Sequence, residues 1–270
     1  MLKNLFFGLV VLIAAIPYGQ SQSLSFDQAR DWLAQEAVRV VRGSVIEGKD
    51  GTLLFTPDGS AHYRALWTRD FFYMLEGCPE AFMEGEALAA FRYLLNGQRE
   101  DGAMPDRVQA DGLAVYKPGP VGNGIGPLPA TDNPAFMVMI CKLICEREDD
   151  WTLFRECQEA LAKGLDYPLK SEEGLLWIDP QHPHSPYGFT DTIFKTGEIF
   201  FSSMLQWEAE NAMAEMYRKV SEPAQATIHE GKGRQLHESL QKFWDPEAGM
   251  FRAATVDCNQ VDIGGSLYAI

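Results

Sequence analysis

The most informative segment of the sequence is Tyr63-Arg64-Ala65-Leu66-Trp67-Thr68-Arg69-Asp70. It places aromatic rings, a guanidinium group and a carboxylate together where a loop enters a predicted helix. Trp and Tyr side chains pack on the apolar face of a sugar ring, while Asp and Arg bind its hydroxyl groups through paired hydrogen bonds. The stretch therefore predicts a sugar-binding site. The alternative is that Arg69 and Asp70 only pair with each other at a helix start, where an acidic residue suits the helix dipole.

The sequence on both sides of this stretch has the apolar period of α-helices almost everywhere. Helices are predicted from Ser25, over 79–96, from Thr131 or Asp132, over 151–165, 196–220 and 225–244, and from Asp262. Loops rich in Gly, Pro and Trp separate them, with short strand-like segments at 53–55 and 175–178. Short and long connections alternate between the helices. This alternation favours helical hairpins arranged in a ring, with the long loops gathered on one rim.

Three further segments lie later in the chain, and they contribute, in this order, to a resemblance to a known family. They are Asp101-Gly102-Ala103-Met104-Pro105, Thr131-Asp132-Asn133-Pro134-Ala135-Phe136 and Phe243-Trp244-Asp245-Pro246-Glu247-Ala248-Gly249-Met250-Phe251. Over residues 60–270 the sequence resembles six-hairpin glycoside hydrolases, the group of glucoamylase, processing α-glucosidase, trehalase and exo-α-1,6-mannosidase. The resemblance implies an all-α (α/α)6 toroid with short β-hairpins on the rim of long loops. Because the sequence holds about seven or eight of the twelve helices that six hairpins need, we expect an incomplete toroid.

The resemblance also implies which residues bind the substrate. They are Tyr63, Trp67, Arg69, Asp70, Asp101 and Asp132. In that group of enzymes an Arg-Asp pair grips the terminal sugar, which implies the same role for Arg69 and Asp70. We expect one rim of the helix ring to bring together Trp67, Asp70, Asp101, Asp132 and Asp191, because the long loops that carry them alternate with short ones.

The segment Tyr187-Gly188-Phe189-Thr190-Asp191-Thr192 holds the candidate catalytic residue. By resemblance, Asp191 is the general acid. An apolar, aromatic pocket keeps such a carboxyl group protonated near neutral pH because it disfavours the charged form. The alternative is that Asp191 or Thr192 caps the long helix that follows. The resemblance implies that the catalytic base is a Glu from a later helix, which we expect beyond Ile270.

The activity that follows from the resemblance is hydrolysis of a terminal α-linked sugar with inversion, and terminal glucose, mannose and rhamnose are all compatible with it. Inversion requires two carboxyl groups ~6.5–9.5 Å apart. One alternative is a polysaccharide lyase on the same toroid, which needs a Tyr or His base and several cations around a uronate. Another is a non-catalytic sugar-binding protein.

The net charge of −15 argues against nucleic acid and anionic membranes as partners, because such a surface repels phosphate groups. A carbohydrate partner is expected, and the oligomeric state is left open. His182 and His184 near Asp179 lack the further ligands of a metal site, so we expect no metal and no cofactor. The five cysteines show no disulfide framework, and we expect buried free thiols.

The first residues have the pattern of a signal peptide. Lys3 precedes an apolar run from Leu5 to Ile16, and Pro17 ends that run before small residues that suit cleavage. The run is shorter than the ~20 residues of a membrane-spanning helix. We expect a signal peptide at 1–21 and a partial catalytic domain at 22–270. The mature protein is then secreted or periplasmic, without stable membrane association; an uncleaved anchor is the alternative.

Overall fold

The computed structural model describes residues 25–59, 62–119, 126–190 and 192–270, so the predicted signal peptide lies outside the described residues. The described residues up to Glu36 and those from Ala37 onward form separate compact units, and the second unit carries the features below. The helices of the described chain are α1 (Phe26–Gly43), α2 (Thr68–Gly77), α3 (Glu86–Leu95), α4 (Asn133–Glu148), α5 (Thr152–Asp166), α6 (Phe200–Lys219), α7 (Pro223–Leu240) and α8 (Ile263–Tyr268). None of them is long and apolar enough to cross a membrane.

The helices of the second unit form two layers. Helices α2, α4 and α6 lie side by side, with α4 in contact with both of the others. Helices α3 and α5 pack against α4, and α7 packs along α6. Inner and outer helices therefore alternate along the chain, which is the arrangement of helical hairpins in an incomplete (α/α)6 toroid.

The burial pattern explains which helix occupies which layer. Helix α4 is apolar on nearly every side, and 11 of its 16 residues are buried. Helix α5 buries only 6 of its 15 residues, spaced three to four apart on one face. A helix that is apolar all round belongs inside, whereas an amphipathic helix suits an outer layer. Phe136 of α4 and Phe154 of α5 are fully buried in the same core, and each such ring contributes roughly 1.5–3 kcal/mol.

Short antiparallel strands connect the helices. They are β1 (Val45–Glu47), β2 (Leu53–Phe55), β3 (Ala65–Trp67), β4 (Arg107–Gln109), β5 (Ala114–Val115), β6 (Trp177–Ile178), β7 (Gly197–Glu198), β8 (Trp244–Asp245) and β9 (Met250–Phe251). The pairs are β1–β2, β3–β4–β5, β6–β7 and β8–β9. The strand-like segments predicted from sequence correspond to β2 and β6. Strand β3 leads directly into α2, and its register places Trp67 opposite Arg107.

Two predicted helices start or break elsewhere than expected. The helix predicted over 79–96 is a 3₁₀ turn (Pro79–Ala81) followed by α3, because Gly85 adopts a φ of 76° at the position before α3. The helix predicted from Thr196 begins only at Phe200. Its first predicted residues form β7 instead, since Gly197 pairs with Ile178 across the β6–β7 hairpin.

All five cysteines are free thiols, and Cys258 alone is not fully buried. The sulfur atoms of Cys141 and Cys157 lie 3.7 Å apart where α4 packs on α5. Cysteine packs as a small apolar side chain in such a position. These thiols therefore belong to the core between the inner and the outer layer.

Candidate functional site

A cavity of about 770 Å³ lies where β3 enters α2. Its walls come from the segments that precede β3, from β3 itself, from the first turn of α2, from β4, and from the 3₁₀ turn Gly188–Thr190. The lining residues are Pro57, His62, Tyr63, Arg64, Trp67, Arg69, Asp70, Arg107, Gln109, Gly119, Gly188 and Phe189. Four residues of the predicted site, Tyr63, Trp67, Arg69 and Asp70, therefore meet in one cavity.

Aromatic rings form one wall of this cavity. The rings of Tyr63 and Trp67 pack edge to face with their centroids 5.5 Å apart. The guanidinium carbon of Arg107 lies 4.3 Å from the centroid of the Trp67 ring. This cation–π contact holds the indole plane in place. The wall offers the kind of surface on which the apolar face of a sugar ring packs.

Arg69 is almost fully buried behind the cavity wall, with a side chain 1% exposed. Its Nη2 donates to Asp106 Oδ1 at 2.6 Å and its Nε donates to Asp132 Oδ2 at 2.9 Å. Burial alone lowers the pKa of Arg69, but the two carboxylates outweigh it and raise the pKa. The guanidinium group therefore stays charged. The alternative that Arg69 pairs only with Asp70 is wrong, because Arg69 is paired with Asp106 and Asp132.

A second arginine completes the charge balance behind the wall. Asp106 is fully buried, and its Oδ2 accepts a hydrogen bond from Arg107 Nη1 at 3.0 Å. We call Arg69, Asp106, Arg107 and Asp132 the buried ion-pair cluster. Its two positive and two negative formal charges cancel. This balance matters because removing one member of a buried ion pair leaves an uncompensated charge, at a cost of about 3–5 kcal/mol.

Gly188 lies against the guanidinium group of Arg69. A Cβ atom at this position would overlap Arg69 Cζ, Nη1 and Nη2. The backbone N–H of Gly188 also donates to Asp132 Oδ2 at 3.1 Å. Glycine is thus required here by the close approach of Arg69. The 3₁₀ turn that begins at Gly188 is therefore held against the buried ion-pair cluster by this hydrogen bond and by its packing on Arg69.

Asp70 is the carboxylate that faces the cavity. It lies in the first turn of α2 and is only partly exposed. Burial raises its pKa to about 6 from an ordinary value of 3.8, and the nearby Arg69 charge offsets only part of that effect. No other described lining residue carries a carboxylate. Asp70 can therefore accept hydrogen bonds from a bound sugar when it is ionised.

Two other predicted binding residues do not line the cavity. Asp132 is fully buried, and its oxygens accept hydrogen bonds from Arg69 and from the Gly188 N–H. It does not cap α4 with its side chain, although it occupies the position before that helix. Asp101 is exposed on a turn and pairs with Arg99. Direct sugar contacts were expected from both, whereas here Asp132 positions Arg69 and Asp101 stabilises its own turn.

The predicted general acid, Asp191, lies outside the described residues. The alternative that Asp191 or Thr192 caps the long helix is wrong, because α6 begins at Phe200 with Ile199 in the capping position. Its neighbour Phe189 lines the cavity, and the ring of Phe189 lies 5.6 Å from the guanidinium carbon of Arg69. Of the described residues in this segment, Gly188 and Phe189 line the cavity.

Sequence reasoning missed Asp106, Arg107 and Arg64 as parts of this site. Asp106 and Arg107 directly follow the segment that ends at Pro105. They form a second adjacent pair of an aspartate and an arginine, like Arg69 and Asp70, and this likeness could have indicated that they belong to the site. Arg64 lies inside the first quoted stretch, but no role was assigned to it. Among the described residues, no three His, Cys, Asp or Glu side chains form a group that could hold a metal ion.

Taken together, the layered hairpins and the cavity define an incomplete six-hairpin toroid of the kind that glycosidases use. No protein-family model matches the sequence, and no curated protein matches it significantly. Solved structures do match. A rhamnosidase from Klebsiella oxytoca with rhamnose bound superposes with a TM-score of 0.65 at 15% identity, over 86% of this chain and 43% of that chain.

Other similar structures belong to further glycosidases. A mannosylglycerate hydrolase from Thermus thermophilus, in complex with glucose, matches with a TM-score of 0.58 at 16% identity, over 85% of this chain and 68% of that one. A glucoamylase from Saccharomycopsis fibuligera matches with a TM-score of 0.56 at 14% identity, over 83% and 52%. The chain thus spans about half the length of the rhamnosidase and the glucoamylase. At these identities the likeness establishes the fold, and the six-hairpin fold expected from the sequence is confirmed.

Proposed function

We propose that this chain is a glycoside hydrolase that removes a terminal α-linked sugar with inversion of configuration. The observation that supports it most directly is the cavity at the β3–α2 junction, where an aromatic wall and the carboxylate of Asp70 meet in a glycosidase fold. In this proposal Tyr63 and Trp67 pack against the sugar ring. Asp70 accepts hydrogen bonds from its hydroxyl groups, and Arg69 lies behind the cavity wall within the buried ion-pair cluster.

Asp191 is proposed as the general acid that protonates the leaving group. A positioned acid contributes about 10²–10⁴-fold to the rate, and most where the leaving group is a poor one. We therefore expect Asp191→Asn to lower kcat strongly for a methyl α-glycoside and only weakly for the 2,4-dinitrophenyl α-glycoside of the same sugar. Asp179→Asn is the matched control, since Asp179 is an exposed aspartate that pairs with His182. Equal losses on both substrates would contradict the assignment of Asp191.

The experiment that tests the activity itself is sugar release from glycosides of glucose, mannose and rhamnose. Proton NMR of the first product shows whether the anomeric configuration is inverted. Sugar binding without release would support the non-catalytic binding protein instead. An unsaturated product that absorbs ultraviolet light would identify the lyase.

We also propose that the protein is exported after cleavage of residues 1–21. The support is the charged start, the apolar run and the small residues that follow it. N-terminal sequencing of the protein produced in a secreting host tests this proposal. A mature chain that begins near Gln22 is expected, and a chain that still begins at Met1 would contradict it.

A further inference from the structure

The cavity at the β3–α2 junction differs in its charged residues from the whole protein, which is acidic. Its described lining residues include three arginines, Arg64, Arg69 and Arg107, and a single carboxylate, Asp70. The chain as a whole carries a net charge of −15. Which of these arginines can bind an anionic ligand therefore depends on how each one is already paired.

The charges of two of these arginines are already compensated by buried carboxylates. Arg69 pairs with Asp106 and Asp132, and Arg107 pairs with Asp106 at 3.0 Å. Arg107 Nη1 also donates to the Lys117 carbonyl at 3.2 Å. The buried ion-pair cluster is therefore neutral as a unit. Arg69 and Arg107 line the cavity, but their charges are compensated by the carboxylates of the cluster.

Arg64 differs from these two residues. It is exposed, lines the cavity, and has no hydrogen bond or ion pair with another residue in the described part of the chain. It stands next to Tyr63 in the aromatic wall, directly before β3. Asp70 lies in the same cavity without a salt bridge to Arg64, and burial keeps the pKa of Asp70 near 6. The cavity therefore presents one unpaired guanidinium group beside the surface on which a sugar ring would pack.

We propose that the sugar bound in this cavity carries a carboxylate, and that Arg64 pairs with it. The inference rests on the proposed function and narrows its substrate to acidic glycosides. A guanidinium group binds a carboxylate through two parallel hydrogen bonds, which gives both affinity and orientation. A neutral sugar offers Arg64 only hydroxyl groups, which bind a guanidinium group less strongly than a carboxylate does.

Two positions on a glycoside can supply that carboxylate. It is either C6 of the sugar ring, as in a uronate, or the aglycone, as in a glyceric acid glycoside. Matched pairs of ligands separate these sources. The first pair is a methyl α-glycuronide and the corresponding methyl α-glycoside; the second is an α-glycosylglycerate and the corresponding α-glycosylglycerol. Each pair is measured for the gluco, galacto and manno sugars.

The experiment is calorimetric titration of the full chain with these pairs. We expect the acidic member of at least one pair to bind about tenfold or more tightly than its neutral partner, the range for a hydrogen bond to a charged group. In Arg64→Gln the preference should fall to about one, while Arg64→Lys should keep part of it. Arg92→Gln is the matched control, because Arg92 is an exposed arginine paired with Glu156, and its preference should equal that of the unaltered protein.

The outcomes separate this inference from the proposed function. Equal binding of acidic and neutral members overturns the acidic substrate while the glycosidase proposal stands. A preference that survives in Arg64→Gln overturns the role of Arg64. Failure of every one of these sugars to bind overturns the acidic substrate, and the release assay with neutral glycosides, including those of rhamnose, then decides the proposed function separately.

Discussion

Replacing Asp70 with Asn tests the central claim about the cavity, that this carboxylate is held in a place that disfavours its charge. The pKa of Asp70 is raised from 3.8 to about 6, chiefly by burial. A buried carboxylate retained for binding stabilises the fold less than a neutral isostere does. If Asp70 served only to interact with the dipole of α2, the substitution would instead destabilise the protein, by about 0.3–1 kcal/mol.

The size of the effect follows from the shift in pKa. A shift of about two units corresponds to roughly 3 kcal/mol at 1.36 kcal/mol per unit. Because the side chain is partly open to the cavity, we expect about 1–3 kcal/mol. The folded protein keeps the proton that the unfolded chain releases between about pH 4 and pH 6. The wild-type protein should therefore lose stability relative to Asp70→Asn as the pH rises through that window.

The assay is urea unfolding, followed by tryptophan fluorescence, of both proteins at about pH 4, 5, 6 and 7.5. The control is Asp150→Asn, because hydrogen bonds from Thr152 lower the pKa of Asp150. The stabilising contribution of Asp150 is present above the unfolded pKa and is lost as the pH falls, so its trend should have the opposite sign. A stability difference for Asp70→Asn that stays constant with pH, or shrinks as the pH rises, would refute the reasoning.

Three further predictions concern the packing around the cavity and the burial of the cysteines. Gly188→Ala should lower the free energy of unfolding by about 2 kcal/mol or more, because its Cβ would overlap Arg69. Gly231→Ala is the control, because the added Cβ has open space around it in α7, and it should be neutral or stabilising by up to about 1 kcal/mol. Equal urea midpoints for the two variants would contradict the predicted overlap with Arg69. Arg69→Met should destabilise the fold by about 3–5 kcal/mol, since it leaves the buried Asp132 without a charged partner while Asp106 keeps Arg107. A thermal midpoint unchanged from wild type would count against the buried ion-pair cluster. Mass spectrometry after alkylation should find Cys258 modified first and the four buried thiols only after denaturation; rapid modification of all five in the folded protein would contradict their burial.

Much of the fold could be predicted because local sequence patterns, such as helical periodicity and helix-start signals, indicate where the helices lie. Helix α4 begins within two residues of the predicted start, since Pro134 in a first turn is a strong local signal. The start of α6 was misplaced because Gly197 and Glu198 pair with residues about twenty positions earlier. Strand pairing of that kind depends on tertiary context, which a helical period does not reveal.

The candidate site was predictable in its composition and less so in its geometry. The stretch from Tyr63 to Asp70 does line a cavity, as its residue types indicated. Nothing in the sequence shows that Arg69 turns away from Asp70 toward Asp106, which lies 37 positions later. Charge compensation of this kind is set by which buried groups meet across the core. The same limit explains why Asp132 was expected to contact the sugar, whereas in the structure it pairs with the buried Arg69.

The packing of Gly188 against Arg69 has a consequence for how this protein diverges from its relatives. The guanidinium group fills the space that a larger residue at 188 would need, and its charge is satisfied by Asp106 and Asp132. A change at any one of these four positions is harmful until another compensates. In homologues that keep this fold, we therefore expect the four to be inherited as a block, either all retained or replaced together, while Arg64 in front of the wall varies with the ligand.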